Sequence, residues 1–379
     1  MPNEAVPPTA PATAGAAPAN PGSAGPDPAG PAPADAGSAD TGPRGSEKRL
    51  CEAYDVALLD LDGVIYLGGK AVPGAADALA QASQAGMRAA FVTNNASRSP
   101  SRIAAQLNSL GVPAAAADVV TSAQAAARLL AERLPAGAPV LVAGGTGLRI
   151  ALHERNLRPV SSAAEHPQAV VQGFSPDLSY GLLAEAALAI RAGAWYVASN
   201  ADATLPTPRG PAPGNGSIIA LLVSATGVQP VVAGKPETPL HAESVRRTGA
   251  KHPLVVGDRL DTDIEGAVNG HADSLLVLTG VSMPADAILA PPRCRPTYIA
   301  RDLGGLVSPH PEVTPAGDGG WACGGWTARV VPDGGQLDLS GSGDPVDALR
   351  ALCRAAWSAP EPPAREAAVA ALKGLDLPS

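Results

Sequence analysis

The chain has 379 residues, of which 45% are hydrophobic and only 3% aromatic, and its net charge at pH 7 is −8. This length allows two or three domains, each with a packed core. The negative charge argues against nucleic acid or an anionic membrane as the main partner, but small phosphate compounds stay open because a local lysine and a metal ion decide their binding.

The sequence predicts a cytoplasmic protein. No apolar stretch approaches the roughly 18–20 residues of a membrane span, and the N-terminus lacks the basic and apolar regions of a signal peptide. The four cysteines are widely spaced, at Cys51, Cys294, Cys323 and Cys353. Their spacing favours reduced thiols over a zinc site or a disulfide framework.

The N-terminal segment is dominated by Pro, Ala, Gly, Ser, Thr and Asp. Such a composition cannot bury enough apolar surface to fold. We therefore expect a disordered tail over residues 1–48, with order beginning near Cys51.

Short apolar strands then alternate with helical patterns. Strands are predicted at 56–59 and 89–92, and helices at 74–85, 101–110 and 123–134. Continuous apolar strands separated by helices are typical of a parallel sheet that is covered on both faces. This part of the chain therefore predicts a doubly wound α/β domain.

A second α/β block follows a Pro-Ala-Gly break at residues 135–137. Its predicted elements are strands at 140–142, 169–172 and 194–198 and helices at 150–154 and 182–191. The run Gly144-Gly145-Thr146-Gly147 lacks the Gly-Lys-Ser/Thr ending of a phosphate loop, which favours a plain strand-to-helix turn. From Val231 the pattern of the first sheet resumes, with strands at 254–256 and 275–278, so the second block is predicted to be an insertion that can act as a lid.

These patterns predict a set of domains. They are a tail (1–48), a catalytic core (49–136 and 230–308), an inserted cap (137–229), a linker (309–320) and a small α+β C-terminal domain (321–379). The last is predicted to hold strands at 326–331 and 336–339 and helices at 345–357 and 365–372. About 60 residues make a marginal independent core, so we expect this domain to dock on the rest of the chain or on another subunit.

Four apolar runs end in polar residues that suit phosphate chemistry. These residues are, in chain order, Asp60 and Asp62, Thr93 and Asn94, Lys235, and Asp258 and Asp263. Ligands of doubly wound sheets bind beyond the carboxyl ends of the strands, so the four groups can converge. Carboxylates held side by side are costly unless a cation lies between them. The set predicts a Mg²⁺-dependent phosphoryl-transfer site.

The catalytic roles follow from this chemistry. Asp60 is expected to attack phosphorus and form an aspartyl-phosphate, which divides hydrolysis into two steps. Asp62 is expected to protonate the leaving alkoxide and then to deprotonate the attacking water. Lys235 would hold the phosphoryl group and offset the charge of Asp60.

The binding roles fall to neighbouring residues. The phosphate oxygens are expected to be bound by Gly63, Thr93, Asn94 and Lys235. An octahedral Mg²⁺ site is expected from Asp60, the carbonyl of Asp62, Asp258 and Asp263, with waters. Each motif alone could be a turn, a helix cap, a loop or a calcium loop. All four in order on successive strands disfavour that explanation.

The order of these motifs resembles the haloacid dehalogenase-like (HAD) phosphatase superfamily. The stretches that begin at Asp60, Val92, Gly234 and Gly257 look like its NagD-type class IIA branch, and the resemblance covers about residues 53–306. It implies a HAD core with an inserted C2-type cap, and Mg²⁺ as the cofactor. The C-terminal piece resembles the extension on actinobacterial members of this branch that act on glycerol 3-phosphate.

The resemblance also implies that cap loops recognise the substrate. The candidate loops are 174–180 and 200–215, with Asp177 and Arg209 as the polar contacts. The cap has few aromatic residues, which disfavours stacking on a nucleobase or a pyridoxal ring. We expect glycerol 3-phosphate as substrate; 2-phosphoglycolate, or broad action on p-nitrophenyl phosphate, pyridoxal phosphate and nucleotides, is the alternative.

The expected partner is therefore a small phosphate ester, without nucleic acid or membrane, and a homo-oligomer is left open. A protein of a different class is a further alternative. It would be non-catalytic and would bind a partner through the C-terminal domain, which holds Trp321, Trp326 and Trp357 of the four tryptophans. Complete catalytic motifs argue against this as the only function.

Overall fold

A computed structural model of the chain describes residues 42–207, 209–331 and 335–378. Residues 1–41 of the predicted tail lie outside the described residues. Backbone pairing is already present at Arg44, whose N–H donates to the carbonyl of Thr297 (2.9 Å), and at Ser46, whose N–H donates to His310 (2.7 Å). Ordered contacts therefore begin ahead of Cys51, where order was expected to start.

The core sheet has six parallel strands. In spatial order these are Tyr298–Ala300, Asp273–Val277, Pro253–Gly257, Val56–Leu59, Arg88–Thr93 and Val119–Thr121. Every residue of the central strand Val56–Leu59 is buried, which explains its unbroken apolar run because a covered parallel strand has no solvated face. The predicted doubly wound α/β fold is confirmed.

The α-helices of this core are short, and two of them begin at side-chain caps. They are Leu50–Ala53, Ala75–Gln84, Pro100–Ser109, Ser122–Arg133, Thr238–Thr248, Glu265–Asn269 and Pro284–Ile288. Ser99 accepts the N–H of Arg102 just before a helix that opens on proline, and Thr121 forms a capping box with Gln124. Such caps satisfy N–H groups that the first helical turn leaves unpaired.

The cap contains a second parallel sheet of five strands. In spatial order these are Val231–Val232, Trp195–Ala198, Ala169–Gln172, Pro139–Ala143 and Arg158–Val160. The cap also contains the helices Thr146–Glu154, Tyr180–Arg191 and Asn215–Thr226 and the antiparallel hairpin Thr204–Thr207/Gly210–Pro213. The glycine-rich run at 144–147 is a strand-to-helix turn, as predicted.

One strand was predicted in the wrong sheet. Val231–Val232 pairs with Val197 and Ala198 at the edge of the cap sheet, whereas the sequence pattern placed it in the core. A two-residue apolar run fits either sheet, and its partner is set by tertiary packing. The cap therefore continues through Val232, past the predicted boundary at residue 229.

The C-terminal domain is an antiparallel sheet packed with two helices. Its strands are Thr314–Pro315, Trp321–Cys323, Trp326–Val330 and Leu337–Gly341, and its helices are Pro345–Ser358 and Arg365–Ala371. The first strand lies inside the predicted linker, which is therefore partly structured. The sequence did not indicate this strand because it contains proline and is followed by glycines, residues that are uncommon within strands.

The C-terminal domain shares a hydrophobic cluster with the core. Leu349 and Leu352 pack in one cluster with Leu276 and Ile299 of the core sheet. Trp357 Nε1 donates to the carbonyl of Ala287 at 3.1 Å. The predicted docking of this domain on the rest of the chain is confirmed.

Two other expectations concern the whole described chain. The four cysteines are buried and unpaired, in agreement with the prediction that they form no disulfide framework. Within the ranges that the structure describes, none of the helices has both the length and the apolar character needed to cross a bilayer.

Candidate active site

Two neighbouring strands of the core sheet bring the predicted acids together. Asp60 directly follows the strand Val56–Leu59, and Asp258 directly follows the strand Pro253–Gly257. These two strands pair in parallel. Asp263 comes from the π-helical turn Leu260–Ile264. One carboxylate oxygen each of Asp60, Asp258 and Asp263 lies within 4.8 Å of the others.

This cluster fits a divalent cation. Asp258 Oδ2 accepts the N–H of Val281 at 2.7 Å, but Oδ1 is buried without a hydrogen-bond partner in the described part of the chain. A buried oxygen left unpaired is costly, and carboxylate oxygens are the ligands that Mg²⁺ prefers. Burial, followed by repulsion from neighbouring carboxylates, raises the pKa of Asp60 and of Asp258. A bound cation would provide a partner for Oδ1 of Asp258 and would offset the repulsion between the carboxylates.

Gly63 allows Asp258 to take this position. Its backbone has φ +85°, and a Cβ there would lie 2.4 Å from the carboxyl carbon of Asp258. Its carbonyl accepts the hydroxyl of Thr279 at 2.5 Å. Any larger residue would displace the carboxylate and strain the backbone. Gly63 therefore shapes the acid cluster in addition to the phosphate contact that was predicted for it.

Lys235 contacts two carboxylates of the acid cluster. Its Nζ donates to Asp60 Oδ1 (2.5 Å), Asp263 Oδ1 (2.7 Å) and the carbonyl of Val92 (3.3 Å). Burial lowers the pKa of this lysine, but the two carboxylates outweigh it and raise the pKa above its usual value. The lysine is therefore a fixed positive charge beside Asp60, and it is supplied by the turn that follows the edge strand of the cap sheet.

The side chain of Asn94 is engaged by the protein itself. Its Oδ1 accepts the N–H of Lys235 at 2.8 Å. Its Nδ2 donates to the carbonyl of Lys235 (3.1 Å) and to both oxygens of Asp202 (3.3 Å each). An amide side chain has two N–H donors, and both are used here. The prediction that Asn94 binds phosphate can therefore not rest on this side chain as it is oriented here.

Thr93, by contrast, keeps its predicted position. Its hydroxyl oxygen accepts the N–H of Asn95 at 3.1 Å, which leaves its own hydrogen to donate. The residue lines the cleft together with Gly63. A phosphate oxygen in the cleft could accept that hydrogen.

Asp62 lies apart from the acid cluster and faces the cleft. It is exposed and lines the cleft, and its side chain is not one of the three that approach each other. Although the residue is exposed at the cleft, the protein around its carboxyl group partly desolvates it and raises the pKa of Asp62, while the positive charges of Arg98 and Lys235 act in the opposite direction. A carboxyl group with a raised pKa holds its proton more readily and suits the predicted general acid.

A cleft of about 310 Å³ lies over these residues. The cap side contributes Phe174, Asn200, Asp202, Thr204, Leu205, Gly214 and Asn215, and the core side contributes Arg259 among others. Both predicted cap loops therefore reach the cleft. Asp177 and Arg209, however, are exposed and are not among the lining residues, so their predicted substrate contact has no support in this structure.

Arg259 was not predicted as a site residue, and Asp202 was predicted only as part of the candidate loop 200–215, without a role of its own. Asp202 follows the cap strand Trp195–Ala198, and Arg259 follows the core strand Pro253–Gly257. Ligands lie beyond the carboxyl ends of parallel strands. In the cap sheet, as in the core sheet, this rule points to the residues that follow a strand, here Asn200 and Asp202.

Comparison with protein-family models gives three matches. Residues 57–158 match the haloacid dehalogenase-like hydrolases, and residues 232–306 match a second HAD-hydrolase-like model. Residues 323–377 match a GCN5-related N-acetyltransferase-like domain. The first two matches flank most of the cap, and the third covers most of the C-terminal domain.

Characterised relatives match over much of the chain. A D-glycerol 3-phosphate phosphatase from Mycobacterium tuberculosis is 48% identical over 314 residues, which are 82% of this chain and 88% of the relative. An acid sugar phosphatase from Staphylococcus saprophyticus is 36% identical over 256 residues, 67% of this chain and 97% of the relative.

Solved structures agree with these relatives. The crystal structure of a glycerol phosphate phosphatase from M. tuberculosis in complex with magnesium has a TM-score of 0.78 at 46% identity, covering 87% of this chain and 99% of that one. A double mutant of a thermostable NPPase from Geobacillus stearothermophilus has a TM-score of 0.60 at 33% identity, over 66% of this chain and 96% of that one.

Proposed function

The chain belongs to the haloacid dehalogenase-like hydrolases and is a Mg²⁺-dependent phosphoric monoester hydrolase, and we propose that its substrate is glycerol 3-phosphate. The similarity to a D-glycerol 3-phosphate phosphatase over 82% of the chain carries this proposal, because it extends well beyond the catalytic motifs. The cleft supports it. Phe174 is the single aromatic residue among its described lining residues, so little surface is offered to a flat ring.

We propose that Asp60 is the nucleophile. Attack by its carboxylate on phosphorus breaks the bond to the glycerol oxygen, and the leaving alkoxide takes the proton held by Asp62. Asp62 then removes a proton from water, and the resulting hydroxide displaces Asp60 from the aspartyl-phosphate to release phosphate. The place of Asp62 at the cleft and its raised pKa support this assignment.

Lys235 would act throughout as a fixed positive charge. Its Nζ lies 2.5 Å from Asp60 and 2.7 Å from Asp263, where it can bind a phosphoryl oxygen while the charge on Asp60 is consumed and restored. Gly63 and Thr93 line the cleft on the same side. We propose that they and the backbone of Asn94 contact the phosphoryl oxygens.

The Mg²⁺ site is proposed to consist of Asp60, Asp258 and the carbonyl of Asp62, with Asp263 nearby. Asp263 supports the site indirectly as well, since its two oxygens accept hydrogen bonds from Lys235 and from the N–H of Arg259. The cation would neutralise phosphoryl oxygens and draw the reacting groups together.

A panel of phosphate esters tests the substrate. Phosphate release with Mg²⁺ is measured on glycerol 3-phosphate, 2-phosphoglycolate, p-nitrophenyl phosphate, pyridoxal 5′-phosphate and nucleoside monophosphates. A kcat/KM for glycerol 3-phosphate at least about tenfold above the others supports the proposal, since such a ratio equals about 1.4 kcal/mol of discrimination. A preference for 2-phosphoglycolate or for a ring-bearing ester would replace it.

The variant Asp60→Asn tests the proposed nucleophile. The substitution keeps the size of the side chain and removes its charge, so it should abolish turnover of every ester in the panel while leaving the circular dichroism spectrum unchanged. Residual turnover above about one per cent of the wild-type value would contradict Asp60 as the nucleophile.

We also propose that the enzyme acts in the cytoplasm. The four thiols are buried and unpaired, and unpaired cysteines are the rule in that compartment. Fractionation of the source cells, with antibody detection of the protein, tests this placement.

A further inference from the structure

We propose that Asp202, a residue of the cap, positions the catalytic Lys235 by acting through Asn94. Asp202 would not bind the reacting atoms itself. The inference rests on the proposed role of Lys235 in phosphoryl transfer and adds a residue to that machinery.

The contacts form one connected chain. Both oxygens of Asp202 accept Nδ2 of Asn94 at 3.3 Å, and the same amide clamps the N–H and the carbonyl of Lys235 at 2.8 and 3.1 Å. The Nζ of Lys235 then lies 2.5 Å from Asp60. A carboxylate can only accept hydrogen bonds, so Asp202 holds the amide with Nδ2 towards itself and Oδ1 towards the N–H of Lys235.

The backbone of Asn94 is also held in place by two hydrogen bonds. Its carbonyl accepts the hydroxyl of Ser122 at 2.6 Å and Nδ2 of Asn200 at 2.7 Å. Asn200 in turn caps the N–H of Asp202 at 3.2 Å. The cap segment that carries Asp202 is thus attached to Asn94 at two points, which fixes the carboxylate relative to the amide.

The lysine turn is packed too closely to adjust. A Cβ on Gly234 would lie 2.5 Å from Oδ1 of Asn94 and 2.6 Å from the carbonyl of Ser199. A change in the direction of the Asn94 amide would therefore be passed on to the backbone of Lys235. Displacement of a catalytic group by about 1 Å can lower a rate by about 100-fold.

Charge favours Asp202 in this position. Arg259 faces it from the core while paired with Asp261 (Nε–Oδ1 3.0 Å), and the positive charges of Arg259 and Lys235 oppose the effect of burial, which raises the pKa of Asp202. The cap thus contributes a carboxylate that two nearby cations attract.

The experiment is a double-mutant cycle. kcat and KM are measured with Mg²⁺ for glycerol 3-phosphate and p-nitrophenyl phosphate in the wild type, Asp202→Ala, Asn94→Ala and the double variant. The conservative variant Asp202→Asn keeps an acceptor oxygen for Asn94. The control is Glu185→Ala, which removes a different cap carboxylate that accepts two hydrogen bonds, from Ala163 and Ser162, outside the cleft.

Positioning predicts a specific pattern. Asp202→Ala should lower kcat about tenfold for both esters, Asp202→Asn should restore most of it, and Asp202→Ala should cost nothing further once Asn94 is alanine. Glu185→Ala should leave kcat within about twofold, since surface changes away from the site act on stability alone. Asp202→Ser, whose hydroxyl is too short to reach Asn94, takes the place of the alanine variant if that variant does not fold.

Three results would overturn the inference. A loss confined to glycerol 3-phosphate would make Asp202 a contact of the glycerol group, additive losses would separate it from Asn94, and an unchanged kcat would leave it only a structural role. A wild-type enzyme that hydrolyses neither ester would instead refute the proposed function itself.

Discussion

His310 is buried at the junction between the C-terminal domain and the core, and it should make this junction sensitive to acid. It is 3% exposed, its Nε2 bonds the carbonyl of Gly305 at 2.8 Å, and its Nδ1 faces Arg350 at 3.0 Å. Arginine can only donate, so Nδ1 is the acceptor and the ring is neutral. A proton on Nδ1 would break this bond and place two positive charges together.

The structure sets the size of the effect. Burial, and then the charge of Arg350, lowers the pKa of His310 from 6.5 to about 4. The unfolded chain therefore takes up the proton first, and stability is full above pH 6.5 and is lost as the pH falls from 6.5 to 4. At about 1.36 kcal/mol for each pKa unit, the full loss is about 3 kcal/mol, and about 2.5 kcal/mol of it should be visible between pH 7 and pH 4.5.

Urea denaturation followed by tryptophan fluorescence measures this loss, because Trp321, Trp326 and Trp357 all lie in the C-terminal domain. His310→Gln cannot take up a proton, so its stability should fall by about 2.5 kcal/mol less than that of the wild type between the two pH values. His166→Gln, at an exposed histidine, should behave as the wild type does. Equal losses in wild type and His310→Gln would refute this account of the junction.

Three further predictions concern the site and the domain interface. Asp62→Asn should slow turnover of glycerol 3-phosphate at least about 100-fold, and intact-mass spectrometry with p-nitrophenyl phosphate should detect a phospho-enzyme; its absence would contradict Asp62 as the base. Asp258→Asn should raise the Mg²⁺ concentration for half-maximal activity at least about tenfold without lowering the melting temperature, since repulsion is relieved; an unchanged Mg²⁺ titration would exclude Asp258 as a ligand. Truncation after residue 309 exposes Leu276 and Ile299 and should cause aggregation in size-exclusion chromatography; a monodisperse, fully active product would show that docking is dispensable.

The core and its acids were predictable because their signals are local. An unbroken apolar run such as Val56–Leu59, followed by a helical pattern, indicates a covered strand, and the residues after such a strand lie at the carboxyl edge of the sheet. Asp60, Asp258 and Asp263 were therefore found from the sequence, and the structure brings them together. The fold of the cap was predicted in outline by the same reasoning.

What could not be predicted depends on contacts between distant segments. Val231–Val232 joins the cap sheet because it pairs with the strand Trp195–Ala198. A short apolar run does not indicate which strand it will pair with. Asn94 presents the same problem: its residue type suits phosphate binding, but its amide is directed by Lys235 and Asp202, 141 and 108 positions away. For Asp177 and Arg209 the sequence shows a charge within a loop, and a charge does not tell which side of the loop faces the cleft.

The position of Val231–Val232 in the cap sheet bears on how specificity could be exchanged between related enzymes. A chimaera joined at the predicted boundary, residue 229, would leave the last strand of the cap sheet with the recipient core, next to a foreign neighbour at Trp195–Ala198. Lys235 would then be displaced together with that strand. A junction after Pro236, with residue 94 and residue 202 taken from the same parent, would move the lid as one unit with its own lysine, so that substrate preference could change while the rate of phosphoryl transfer is kept.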